Sequence, residues 1–258
     1  MTSFIKLMLL LYILIGLLFY LFQEWLIFPK RYVPKQMQHH KDFTAISFDT
    51  DDKTTLHGMH KILHPNAPTI LYFGGNGENV LAMSEIFAQF QEYNWLTFNY
   101  RGYGKSEGKP SQKAILNDAL ALYDHFSQEY NIRIALGRSL GTSVATYLTS
   151  SREIDKLILI TPFDSLANVA KTHYPILQLF PLDILLQHNF DTQKYMQTIT
   201  TKVYMLVGKY DKVIPKPHSN KLKKSIQRLE HYQEVEGGHN TIIGTKSYTA
   251  FIQKALKD

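Results

Sequence analysis

Gly137-Arg138-Ser139-Leu140-Gly141, inside the run NIRIALGRSLGT at 131–142, is the stretch on which the reading of the whole chain turns. Ile132, Ile134, Ala135 and Leu136 precede it as a short buried strand, and Leu140 to Tyr147 follow as a helix rich in small and apolar residues. Between them a serine stands at the apex of a sharp turn. A serine lifted out of such a turn has strained dihedrals, and small neighbours two positions to either side let strand and helix approach closely. Two glycines around one serine also occur by chance, so the flanking chain has to decide.

Working outward, apolar runs and helical periods alternate. Upstream, TILYF at 69–73 is continuously apolar, as in a strand covered on both faces, and ends in Gly74-Gly75-Asn76-Gly77-Glu78. Asn79 is placed to cap a helix reaching about Tyr93, with Val80, Met83, Ile86, Phe87 and Phe90 on one face. A strand at 95–100, a glycine-rich loop at 101–110 and a helix from Ser111 to about Glu129 lead into the serine turn. Earlier still, 43–48 and 54–62 read as an antiparallel hairpin. Downstream come a strand at 156–160, another at 203–207, a helix near 217–229, a strand at 231–235, the turn Gly237-Gly238-His239 and a helix at about 245–256. The pattern predicts an α/β fold: a mostly parallel sheet of about eight strands, covered by helices on both faces, with ligands at the carboxyl ends of the strands. The stretch 163–201, with YPILQLFPLDILLQHNF inside it, breaks the alternation and reads as a small helical cap.

The amino terminus is of another kind. LMLLLYILIGLLFYLF at 7–22 carries no charge, and 4–22 as a helix rises roughly 28 Å against a hydrocarbon core of about 30 Å. This predicts a transmembrane helix, with Tyr20, Trp25 and Phe28 near an aromatic belt and Lys30, Arg31, Lys35 and Lys41 beyond it. Gln23-Glu24-Trp25-Leu26 stands where a small-x-small cleavage site would be, so the reading is an uncleaved anchor rather than a removed signal. The basic flank favours a cytoplasmic body and the short Lys6-bearing terminus favours export, which leaves the side of the membrane open. The division that results is a membrane anchor at 1–28, a polar linker at 29–42 and one catalytic-sized domain at 43–258 with the cap inserted at 163–201.

Across 258 residues, 45% are hydrophobic and 19% charged, with a formal net charge of +6 and no cysteine. The lysines are scattered rather than run together, so nucleic acid is not an expected partner. The absence of cysteine excludes a disulfide framework, a thiolate nucleophile and a Cys-ligated zinc site.

Serine needs a base to take its proton and a carboxylate to orient that base. Ser139, Asp211 after the strand at 203–207, and His239 on the turn after 231–235 lie in the chain order serine, acid, histidine, each beyond a strand at one sheet edge. Asp164, after the strand at 156–160, is a rival acid; chain position and spacing favour Asp211. A developing oxyanion calls for backbone N–H donors, and Leu140 and Asn76 are the candidates. Arg138 has two readings, facing substrate or pairing with a carboxylate. His57, His60 and His64 have no carboxylate at zinc-ligand spacing, and Gly102-x-Gly104 lacks the third glycine of a dinucleotide fingerprint, so no metal or cofactor is expected.

With the anchor followed by QEWLIFPKRYVP, and with FGGNGEN, NYRGYGKSEGKPS, GRSLGTSVA, GKYDKVIP and EGGHN, the chain resembles the α/β-hydrolase superfamily, in its N-terminally membrane-anchored subgroup related to serine aminopeptidase-like hydrolases. The resemblance covers nearly the whole chain. It implies Ser139 as nucleophile, Asp211 as acid, His239 as base, and Asn76 and Leu140 as oxyanion donors. Relatives usually carry His-Gly where this chain has Gly74-Gly75, and often aspartate at the position of Asn99, which bears on the oxyanion loop. The expected function is a membrane-anchored serine hydrolase acting on a carboxylic ester or thioester, with acyl-chain substrates suggested by the anchor and apolar cap. The alternatives are an aminopeptidase-like amide hydrolase and a non-catalytic anchored binding protein. Expected partners are a small-molecule or acylated substrate and, through the N-terminal helix, membrane lipid.

Overall fold

The computed structural model describes residues 2–29 and 33–258; Lys30 and Arg31, two of the basic residues expected to flank the anchor, lie outside them. Eight strands form one sheet in the order β1-β2-β4-β3-β5-β6-β7-β8: β1 (Thr44–Asp49), β2 (Thr55–Lys61), β3 (Thr69–Phe73), β4 (Asn94–Phe98), β5 (Ile132–Arg138), β6 (Lys156–Ile160), β7 (Lys202–Gly208) and β8 (Leu229–Val235). The hairpin β1–β2 is antiparallel, β2 runs antiparallel to β4, and every other pairing is parallel. β3 and β4 are buried along their whole length, which is why they read as unbroken apolar runs.

Alternation within the strands splits the core in two. Leu71, Ala135, Leu157 and Val203 face α3 (Gln112–Phe126) and α4 (Leu140–Ser151), whose Ile115, Val144 and Leu148 close that side. Ile70, Ile134, Ile158 and Tyr204 face the other way, against Phe87 of the short α2 (Ser84–Phe87) and against Phe251 and Ile252 of α9 (Lys246–Lys257). Capping follows the sequence: Ser111 accepts from the Ala114 N–H, and Thr245 from the Tyr248 N–H, each at 3.2 Å. Two helices are shorter than their periodicity suggests. The one after Asn79 is a 3₁₀ turn (Val80–Met83) running into α2 and stops at Phe87, because Phe87 stacks on Trp95 with ring centroids 4.0 Å apart and the chain must turn back into β4. α8 (Lys216–Lys223) ends before Leu229, which instead pairs with Val203 at the start of β8.

At the β5–α4 junction, Ser139 has φ 51° and ψ −119°, a left-handed conformation that costs a side-chain-bearing residue about 1–3 kcal/mol. The two flanking glycines are needed for space. A Cβ on Gly137 would lie 2.3 Å from the Gly141 carbonyl oxygen, and one on Gly141 would lie 2.0 Å from the Phe73 carbonyl oxygen. These are backbone atoms of α4 and β3 and cannot step aside. Gly141→Ala is therefore expected to destabilise the fold by about 4 kcal/mol or more, read as a large loss of denaturation midpoint or of folded yield.

Between β6 and β7 the chain forms α5 (Leu166–His173), a 3₁₀ turn (Pro175–Leu179), α6 (Leu182–Leu185) and α7 (Thr192–Met196). Leu177, Phe180, Leu182 and Leu186 make a small core of their own with Ala167. Against it lies α1 (Thr2–Ile27), which is long and apolar enough to cross a bilayer, with a mean hydropathy of 2.5 over its best window. Its apolar side chains are mostly exposed, yet one face is docked: Tyr12 stacks on Phe180 at 4.5 Å, and Gln23, 1% exposed, accepts from the Gln187 N–H at 2.7 Å and donates to the Leu185 carbonyl at 3.1 Å. Phe28, expected near an aromatic belt, is instead buried edge-on against His188 and Phe190, because the chain leaves the helix directly into the main core.

Candidate active site

The carboxyl ends of β3, β5, β7 and β8 bring four loops to one edge of the sheet. Ser139 sits just ahead of α4, His239 on the turn after β8 and Asp211 on the loop after β7. His239 Nε2 lies 3.0 Å from Ser139 Oγ, and His239 Nδ1 lies 2.7 Å from Asp211 Oδ2. A carboxylate only accepts, so Nδ1 donates to Asp211 and leaves the Nε2 lone pair to accept from the serine hydroxyl. The second oxygen of Asp211 accepts from the Val213 and Ile214 N–H groups at 2.8 and 2.7 Å, which fixes the carboxylate in position. The His239 turn is held in its turn by the Gly238 N–H, which donates to Thr241 Oγ1 at 2.8 Å.

Leu140 is the first residue of α4, where backbone N–H groups have no partner inside the helix. Asn76 lies across from it on the loop after β3, and both line the same cavity as Ser139. The side chain of Asn76 is itself occupied: it donates to the Ile27 carbonyl at 2.5 Å and accepts from the Tyr103 hydroxyl at 2.6 Å. A Cβ on Gly75 of the same loop would lie 3.6 Å from Ser139 Cβ, so the loop backbone runs close beside the serine.

Arg138 resolves to its carboxylate-pairing reading. Its guanidinium bonds to Glu78, and the other arm donates to Asn240 Oδ1 at 2.5 Å. Burial works against the arginine charge, and the Glu78 carboxylate together with Tyr72 and Tyr248 more than offsets it, so the arginine pKa stands above its ordinary value. Glu78 also accepts from the Tyr72 hydroxyl at 2.7 Å and the Gly75 N–H at 3.2 Å. The chain Glu78, Arg138 and Asn240 thus ties the loop after β3 to the loop carrying His239. Sequence reasoning missed Glu78 and Asn240; the available signal was an arginine beside the serine, needing a partner within reach.

The same network gives the glycine at position 74 a steric reason. A Cβ at Gly74 would lie 2.9 Å from Val80 Cγ1 and 3.1 Å from Glu78 Oε1, so glycine there makes room for Glu78 to turn inward. Asn99 supports the loop from below, accepting from the Val80 N–H at 3.0 Å and donating to Asn79 Oδ1 at 3.1 Å.

Asp164 is not part of this arrangement. Completely buried, it accepts from Asn168 Nδ2 at 2.6 Å, lies 2.9 Å from His218 Nδ1 and pairs with Lys221 at 3.0 Å, joining α5 to α8. Burial alone would push its carboxyl up, but the bonds from His218, Lys221, the Ser165 N–H and Asn168 hold it at about 2. A folded pKa below the unfolded value of 3.8 contributes stability above the unfolded pKa, and that contribution fades as pH falls from about 4 through 2. The shift corresponds to about 2 kcal/mol. Asp164→Asn is accordingly expected to lower the denaturation midpoint clearly at pH 6 and progressively less at pH 3, measured beside the parent protein.

Above Ser139 opens a cavity of about 710 Å³, within the size range of small-molecule sites and lined mainly by apolar side chains, among them Phe163, Leu166, Val169, Leu177 and Ile214. Phe19, Leu26 and Ile27 of α1 complete its wall.

No family model matches the sequence. Among curated proteins, an alpha/beta hydrolase domain-containing protein of Arabidopsis thaliana is 31% identical over 201 residues, 70% of this chain and 65% of that protein. An uncharacterized membrane protein of Saccharomyces cerevisiae is 31% identical over 205 residues, covering 76% of this chain and 69% of its own length. A lysophosphatidylserine lipase of Danio rerio is 31% identical over 177 residues, 60% of this chain and 46% of the lipase. The chain thus spans under two thirds of the length of several curated relatives that it matches. Among solved structures, an esterase of Pyrococcus furiosus superposes with a TM-score of 0.68 at 18% identity, covering 87% of this chain and 98% of that one. That likeness concerns the fold. With the sheet order, the serine turn at its centre and these relatives taken together, the chain belongs to the α/β-hydrolase superfamily.

Proposed function

We propose that this protein is a membrane-anchored serine hydrolase that cleaves a carboxylic ester or thioester through an acyl-enzyme on Ser139. The observation that carries the reading is the run of contacts from Ser139 Oγ to His239 Nε2 at 3.0 Å and from His239 Nδ1 to Asp211 at 2.7 Å, on a serine held in a strained turn. His239 takes the hydroxyl proton as Oγ bonds to the substrate carbonyl carbon, and the Leu140 and Asn76 N–H groups receive the charge that develops on the carbonyl oxygen. The leaving alcohol or thiol departs with the proton from His239, and water repeats the sequence to release the acid. Asp211 keeps the imidazole in the tautomer this needs and stabilises its charged form.

The α1 helix serves as the anchor in this reading; its length, its hydropathy and the relative from Saccharomyces cerevisiae named as a membrane protein support that role. Acyl-chain substrates are supported by the apolar cavity and by the relative named as a lysophosphatidylserine lipase. An aminopeptidase would need an acidic group for a free amine, and among the described residues no carboxylate lines the cavity. The test is a panel of soluble acyl esters, acyl thioesters and aminoacyl amides on the purified protein. Turnover of esters and thioesters, lost in Ser139→Ala, is expected; turnover confined to aminoacyl amides would reverse the assignment.

A further inference from the structure

The docking of α1 against the cap sets the depth of the cap in a membrane. Contacts between them begin at Tyr12, whose hydroxyl donates to the Leu179 carbonyl at 3.0 Å, and continue to the buried Gln23. Among the described residues, the part of the helix that precedes Tyr12, from Thr2 to Leu11, rises only about 15 Å, half of a hydrocarbon core of about 30 Å. A helix that spans while docked in this way must carry the adjoining cap surface into the near leaflet. That surface suits immersion: Ile184 is 82% exposed, Leu179 65%, Tyr174 64% and Ile176 56%, and the run from Tyr174 to Leu182 is free of charge, with Asp183 as the one carboxylate between it and Ile184. Tyr174 and Ile176 also line the cavity over Ser139, so its rim is part of this same apolar surface. Gln23 would be a costly residue in lipid and is instead bonded to the Leu185 carbonyl and the Gln187 N–H beside α6 and to the Tyr20 carbonyl of its own helix, which ties helix to cap.

We propose that the cap sinks into one leaflet beside α1 and that a single-chain acyl ester passes sideways from that leaflet into the cavity, its chain lying against Phe19, Leu26 and Ile27. The anchor is then one wall of the substrate site as well as a tether. The substrate class rests on the serine-hydrolase reading above; the immersion of the cap does not.

The experiment uses the full chain in liposomes. Leu179→Trp and Ile184→Trp are made separately in a Trp25→Phe background, where the other tryptophan, Trp95, is 1% exposed within the core. Lipids brominated along the acyl chain are expected to quench each new tryptophan, and aqueous iodide is not. Quenching by iodide without quenching by bromolipid would overturn the immersion. In the second arm, Leu179→Asp combined with Ile184→Asp is assayed on a soluble short-chain ester and on a long-chain monoacyl ester held in vesicles. Turnover of the vesicle ester is expected to fall about tenfold or more while the soluble ester stays within about twofold. An equal fall for both, or for neither, would contradict lateral entry. If the parent protein turns over neither ester, the hydrolase reading fails, and the quenching result still decides the depth of the cap.

Discussion

Replacing Ser139 by alanine is expected to lower kcat on any ester substrate by about 10⁴–10⁶-fold with the fold intact. The hydroxyl is the atom through which that residue bonds to His239, and its backbone, fixed by the Ile160 carbonyl accepting from the Ser139 N–H at 2.9 Å, does not depend on it. His239→Ala is expected to lose about as much, because without its base the serine has no group to take its proton as it attacks, and the two residues act as a unit. The double variant should be little worse than either single one. Steady-state kinetics checks this, with the denaturation midpoint as the control: a fall in rate without a fall in midpoint separates lost chemistry from lost structure.

The second large effect discriminates two buried aspartates. Asp211→Asn leaves a group of the same size at the same place but presents an amide to His239 Nδ1, which favours the wrong tautomer; a loss of about 10⁴-fold in kcat is expected. Asp164→Asn is expected to change kcat by less than about tenfold, because its bonds run to His218, Lys221 and Asn168 rather than to His239. Its effect appears in stability, with the dependence on pH argued above. Kinetics on the two variants, side by side, are decisive: a larger loss in Asp164→Asn than in Asp211→Asn would move the acid to the other loop.

Much of this architecture is written locally in the chain. The serine turn is legible because its demand is steric and short-range, with Gly137 and Gly141 at the two positions where a Cβ would strike backbone. Buried parallel strands such as TILYF at 69–73 announce themselves by composition, and Asp211 and His239 follow from their order after such strands. What could not be read were features assembled from three separate loops. Glu78, Arg138 and Asn240 meet only because β3, β5 and β8 end at one edge of the sheet, and nothing in the spacing of those residues shows it. Helix ends were misjudged where tertiary stacking overrode periodicity, as at Phe87 and Trp95.

The amino-terminal helix, read as a single apolar segment, has a second neighbour that its composition does not reveal. Apolar all round, it reads as a segment surrounded by lipid, and hydropathy does not distinguish lipid from an apolar cap as its neighbour. Gln23 was the visible clue, a polar residue near the end of a long apolar helix that needs bonding partners. Those partners are backbone groups of the cap, and with them the helix reaches the wall of the cavity over Ser139. Asn76 makes the same connection from the other side, through its bond to the Ile27 carbonyl.

The central claim is that Ser139 is a nucleophile activated by His239. The most direct measurement is the intact mass of the purified protein after exposure to a fluorophosphonate at neutral pH. A single adduct, mapped to Ser139, absent from Ser139→Ala and strongly diminished in His239→Ala, is the expected result. No adduct on the parent protein, or an adduct that persists in Ser139→Ala, would contradict it.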